Sequence, residues 1–128
     1  MQSAVPQKIL VVEDEAPMRN MIIGVLQQAG YTVLSAMNGK EGLALAKSEH
    51  PDLIVTDNFM PIMNGADMVS QVRSDPTWGA KVPVILMTNV NSMDAINQTL
   101  QVGGVDYLMK MDIQLEDVVT LVKQRLEG

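Results

Sequence analysis

Cysteine is absent from the chain, which excludes disulfides, thiolate metal sites and cysteine nucleophiles and leaves the redox compartment undetermined. Histidine occurs once, as His50 in the turn-forming His50-Pro51-Asp52 segment, where it is expected to be solvated. One imidazole does not build a zinc site here, and no Ser/His/Asp set is visible. Long apolar runs are missing as well. The longest span about four residues, against the ~20 needed to cross a bilayer, and residues 1 to 7 lack the basic start and long apolar stretch of a signal peptide. The expectation is a cytoplasmic protein without membrane contact. Basic residues number nine, scattered along a chain of net charge −6. Nucleic acid wants a basic face, so a protein partner is favoured instead. Repeats, low-complexity tracts and linker-like stretches are also lacking.

The chain has 128 residues, 47% hydrophobic and 19% charged, enough for one domain with a substantial core. The expectation is a single domain over residues 1–128 with its core at about 7–126. Apolar runs of strand length alternate with stretches of helical period, the pattern of a parallel sheet covered on both faces. Strands are predicted at Lys8 to Glu13, Thr32 to Ala36, Leu53 to Asp57, Val84 to Met87 and Asp106 to Met109. Met18, Met21, Ile22, Val25, Leu26 and Ala29 form one stripe of an amphipathic helix, with Pro17 in its first turn and Gly30 at its end. Four more helices are expected near Gly39 to Glu49, Gly65 to Arg73, Met93 to Val102 and Ile113 to Leu126. Turn-forming residues such as Asn38-Gly39, Asn64-Gly65 and Gly103-Gly104 fill the gaps. Right-handed crossovers make this an α/β, flavodoxin-like, doubly wound sheet of five parallel strands in the order 2-1-3-4-5, with five helices.

Polar residues at the strand ends then become informative. Glu13-Asp14 follows the first strand, Asp57 ends the third, Thr88 follows the fourth and Lys110 follows the fifth. In open α/β sheets ligand chemistry sits at this edge, and the order above makes the first and third strands neighbours. Carboxylates brought together there repel one another unless a hard divalent cation joins them. The pattern therefore points to a Mg²⁺ site beside a nucleophilic aspartate.

The set Glu13-Asp14, Asp57-Asn58-Phe59-Met60-Pro61 through Gly65, Thr88, and Tyr107 three residues before Lys110 resembles the receiver domain of two-component response regulators, of the chemotaxis-regulator type. The resemblance covers nearly all of the chain. It implies that Asp57 accepts a phosphoryl group from the histidine of a sensor kinase or a phosphotransfer protein. It implies further that Mg²⁺ is held by Asp14 and Asp57, by Glu13 through water and by the backbone carbonyl of Phe59. Phosphoryl transfer needs a nucleophile, a metal and a cation. Lys110 suits one phosphate oxygen and the Thr88 hydroxyl another, and before phosphorylation Lys110 is expected to pair with the carboxylates. Attraction of Thr88 to the phosphoryl group vacates space for Tyr107 to turn inward. The changed surface, near Met93 to Val102, Tyr107 to Met109 and Ile113 to Leu126, would then signal a downstream protein or output domain. No enzymatic activity is expected beyond the chain's own phosphorylation and dephosphorylation.

Two positions depart from the family pattern. Met111 follows Lys110 where proline is usual, and a cis bond before a non-proline residue costs roughly 2.5 to 4 kcal/mol, so this peptide is expected to be trans, or cis under strain. Asn89 follows Thr88 where a small residue is usual. These departures keep open a scaffold that binds partners without being phosphorylated. A Mg²⁺-dependent phosphatase is a weaker alternative, because such hydrolases commonly place an acid/base aspartate where Phe59 stands. Phe59 and Val90 flank the site and are suited to shield an acyl phosphate from water. Most of the eleven methionines are read as core filling rather than as a docking surface. Trp78 lies in the connection before the fourth strand, as a cap for the helix edge or as a contact.

Overall fold

The computed structural model of the protein describes residues 6–88, 104–110 and 114–127. Its strands are β1 (Lys8–Val12), β2 (Thr32–Ala36), β3 (Leu53–Asp57), β4 (Val84–Thr88) and β5 (Val105–Met109). All pairings are parallel and the order is β2-β1-β3-β4-β5. The predicted flavodoxin-like topology is the one observed. Helices α1 (Ala16–Gln28), α2 (Gly39–Glu49), α3 (Gly65–Arg73), α4 (Trp78–Lys81) and α5 (Leu115–Glu127) complete the described residues. The helix expected at Met93 to Val102 lies outside them, as do Asn89, Val90, Met111 and Ile113.

Strand alternation splits the core in two. Ile9, Val11, Leu53, Val55, Ile85 and Met87 face Ile22 and Leu26 of α1 and Val118 and Val122 of α5. Leu10, Val12, Ile54 and Val84 face Leu43 and Ala46 of α2 and Met68, Val69 and Val72 of α3. The three inner strands are therefore buried on both faces, which is why they read as unbroken apolar runs.

Local chemistry sets the helix ends. Pro17 enters the first turn of α1, where its missing N–H costs nothing. At the other end Gly30 takes φ +100°, and the N–H groups of Gly30 and Tyr31 donate to the carbonyls of Gln27 and Leu26, a Schellman closure sealed by Tyr31 and Leu26 in the same core. Asn38 and Asn64 each accept the N–H three residues on, from Glu41 and Asp67 at 2.8 Å, and so begin α2 and α3.

The short helix α4 was not predicted. Asp75 Oδ1 accepts from the N–H and the hydroxyl of Thr77 at 2.7 and 2.8 Å and turns the chain. Trp78 Nε1 then donates to the Pro51 carbonyl at 2.8 Å, and its ring stacks on His50 with centroids 4.6 Å apart. His50 is exposed, as expected, but carries this stack besides. Trp78 thus pins the connection to the turn before β3. No described helix is long and apolar enough to cross a membrane.

Candidate functional site

Register delivers the polar residues to one edge. Val12 pairs with Thr56, so the next residues, Glu13 and Asp57, emerge beside each other. Asp57 pairs with Met87, and Thr88 with Met109, which brings Thr88 and Lys110 to the same rim. Backbone bonds continue past the strands: Glu13 N–H to Ala36 O at 3.1 Å, Asn58 N–H to Met87 O at 3.0 Å and Lys110 N–H to Thr88 O at 2.8 Å. The loop after Asp57 is tied back on itself. Gly65 N–H donates to the Asn58 carbonyl at 2.8 Å, and buried Asn58 accepts from Ala66 N–H through Oδ1 at 3.1 Å. A side chain at Gly65 would collide with the Asp57 carbonyl oxygen, so glycine lets α3 start directly under the aspartate.

Lys110 is the electrostatic centre. Its Nζ lies 2.8 Å from Glu13 Oε1, 3.1 Å from Glu15 Oε1 and 3.2 Å from Asp57 Oδ2. Glu13, Asp57 and Lys110 are all buried. Burial pushes the Asp57 carboxyl above the ordinary range; the charge and hydrogen bond of Lys110 oppose it without cancelling it, and Asp14 adds to it. Glu13 is raised in the same way, chiefly by burial, with Asp57 adding to it. For Lys110 burial favours loss of the proton, but Glu13, Asp57 and Glu15 together outweigh it and hold the ammonium above the ordinary lysine range. All three shifts are upward: burial outweighs the single cation at the two carboxyls, and the surrounding anions outweigh burial at the lysine.

The surplus of negative charge fits a further cation. Glu13, Asp14 and Asp57 each offer a carboxylate oxygen within 4.8 Å of the others. Glu13 Oε1 is buried, and among the described residues its one polar partner is the Lys110 ammonium, an ion pair at 2.8 Å. Its other oxygen accepts from Glu15 N–H at 3.0 Å. A set made only of oxygen donors, one with a spare lone pair inside the protein, suits a hard divalent ion such as Mg²⁺ and not zinc.

Thr88 is buried at the end of β4, and Tyr107 is half-buried on β5, opposite Leu86. Alternation puts the two on the same face of the sheet, one pair apart. Phe59, two residues beyond Asp57, has a side chain 51% exposed at the rim. Glu15 was not singled out as a site residue. Its only signal is an acidic side chain directly after the doublet, because its partner Lys110 is 95 residues away. Arg19 was also missed: its Nη1 donates to the Glu13 carbonyl at 2.9 Å and steadies the loop from inside α1.

Residues 9–123 match the family model described as response regulator receiver domain. The chain is 36% identical over 106 residues to the phosphate regulon transcriptional regulatory protein PhoB of Pseudomonas aeruginosa, covering 83% of this chain and 46% of that protein. It spans about half the length, or somewhat less, of the curated relatives it matches. Among solved structures, the chemotaxis response regulator CheY4 of Vibrio cholerae superposes with a TM-score of 0.85 at 30% identity, covering 95% of this chain and 100% of that one. The receiver domain of the sensor histidine kinase PA1611 of Pseudomonas aeruginosa, solved with a magnesium ion coordinated in its active site cleft, does so with a TM-score of 0.85 at 25% identity over 97% of this chain and 100% of that one. The strand order, the acidic rim around a buried lysine and these likenesses agree, and the chain belongs to the response regulator receiver-domain family of two-component signal transduction.

Proposed function

We propose that residues 1–128 act as one receiver domain that takes a phosphoryl group onto Asp57 from the phosphohistidine of a sensor kinase or phosphotransfer protein, in the cytoplasm. An Asp57 carboxylate oxygen attacks phosphorus, the P–O bond forms as the P–N bond breaks, and the departing imidazole keeps the electron pair and takes up a proton. One observation carries this reading: a buried ammonium 3.2 Å from a buried aspartate, beside two further carboxylates within 4.8 Å.

Asp14 and Asp57, with the Phe59 carbonyl and with Glu13 through water, are the residues to hold Mg²⁺. When bound, the ion would neutralise charge on the phosphoryl oxygens, and the similar PA1611 receiver domain carries a magnesium ion in its active site cleft. Lys110 supplies fixed positive charge that needs no reorganisation at the moment of transfer. The Thr88 hydroxyl donates to a phosphoryl oxygen, and Tyr107 follows it inward. That movement changes the surface near Met93 to Val102, β5 and α5, which a downstream protein or output domain reads. The chain's own chemistry is limited to accepting the group and releasing it to water.

Incubation with Mg²⁺ and a small acyl-phosphate donor, followed by intact-mass measurement, tests the reading. One added phosphoryl group, dependent on Mg²⁺ and lost in Asp57→Asn, is the expected result. No adduct would leave a partner-binding scaffold, and rapid turnover of many phosphate esters would indicate a phosphatase.

A further inference from the structure

We propose that Glu15 is the acceptor onto which Lys110 moves when a divalent cation occupies Glu13, Asp14 and Asp57. The inference rests on the phosphoacceptor reading above and concerns how one site accommodates two cations. In the structure the ammonium touches Glu13 and Asp57 at 2.8 and 3.2 Å, and both belong to the oxygen set that would bind the metal. Two cations on the same pair of carboxylates repel each other, so the lysine must give ground. Glu15 stands outside that set, and its Oε1 already lies 3.1 Å from Nζ.

The placement of Glu15 suits this task. Its backbone is fixed at the N-cap of α1: its N–H donates to Glu13 Oε2 at 3.0 Å, and its carbonyl accepts from Arg19 N–H at 2.9 Å. A carboxylate at this position is ordinarily drawn to the free N–H groups of the helix. The Glu15 side chain makes no such cap bond and reaches Lys110 instead. It is 64% exposed, whereas the lysine is 5% exposed. Glu15 can therefore swing into water once a phosphoryl oxygen takes over the ammonium, an exit closed to Glu13 and Asp57. The lysine is thereby kept charged and close through each change of occupancy, with Glu15 as a positioning residue.

Titration calorimetry of the full chain with MgCl₂ at fixed pH and ionic strength separates this role from a plain charge effect. Glu15→Gln is expected to weaken Mg²⁺ binding about two- to fivefold, the range of a partly exposed ion pair. Glu15→Asp keeps the charge but falls short of Lys110 by one methylene, and the same weakening is expected. In a Lys110→Ala background, Glu15→Gln should shift the dissociation constant by less than about twofold. Wild-type affinity in Glu15→Asp, or an equal effect of Glu15→Gln in both backgrounds, would overturn the handover and leave the phosphoacceptor reading standing. Absence of Mg²⁺ binding by the unaltered chain would refute that reading and the handover with it.

Discussion

Replacing Lys110 by methionine keeps most of the side-chain volume and removes the one ammonium that Glu13, Asp57 and Glu15 share. Two of these carboxylates are buried, Glu13 completely. Breaking a buried ion pair from one side typically costs about 3 to 5 kcal/mol, because an uncompensated charge stays behind. With urea slopes of about 1 to 3 kcal/mol per molar for small domains, the denaturation midpoint should fall by about 1 M or more. The pH dependence gives a second check. Burial already holds the folded carboxyls of Glu13 and Asp57 above their unfolded values. Such groups favour the fold most below the unfolded pKa, and that contribution is lost as pH rises through the folded one. Without Lys110 the folded values climb further, so the deficit should be largest near about pH 8 and shrink toward about pH 5. Urea unfolding of both proteins at these two pH values measures it. A deficit below about 1 kcal/mol that ignores pH would refute the argument that Lys110 compensates buried charge.

Ile62 sits at φ 74°, inside a γ-turn closed by Met63 N–H on the Pro61 carbonyl at 2.8 Å, and is 75% exposed. The side chain contributes little burial while a β-branched residue is strained there, so Ile62→Gly should stabilise by about 1 kcal/mol in thermal unfolding, and a loss would refute the strain. Gly65→Ala drives a methyl group toward the Asp57 carbonyl and should cost about 1 to 3 kcal/mol, although alanine is the better helix former; a stabilised variant would show that α3 can move away. Burial, and then the 2.8 Å hydrogen bond to Glu127, push the Tyr31 phenol up to about 12. The phenol's contribution is complete below its unfolded value of about 10 and is lost as pH rises toward 12, a fall of about 1 kcal/mol once solvent screening at the exposed Glu127 is allowed for, which Tyr31→Phe should abolish in alkaline unfolding curves.

The central strands were legible because burial on both faces leaves only apolar residues to choose from, as in Ile9 to Val12 and Val84 to Met87. The strand order followed from crossover handedness, and with it the meeting of Glu13, Asp57, Thr88 and Lys110 at one rim. Helix α4 escaped because four residues show no period; tertiary partners hold it, the Pro51 carbonyl and the His50 ring on Trp78. Glu15 as a lysine partner was invisible for the same reason, since nothing local links residues 95 apart. The left-handed Ile62 ran against its own signal: β-branching argues for extended backbone, yet the turn closing onto Gly39 N–H through the Met63 carbonyl at 3.2 Å overrides it.

In the proposed function, side chains from separate strand ends form one phosphoryl site. A crystal structure of the chain with Mg²⁺ and beryllium trifluoride, which mimics a phosphoryl group on a carboxylate, tests it most directly. Beryllium is expected on an Asp57 oxygen, the ion against Asp14 and Asp57, and Lys110 and Thr88 on separate fluorines. Beryllium bound elsewhere, or a metal that leaves Asp14 and Asp57 untouched, would contradict it.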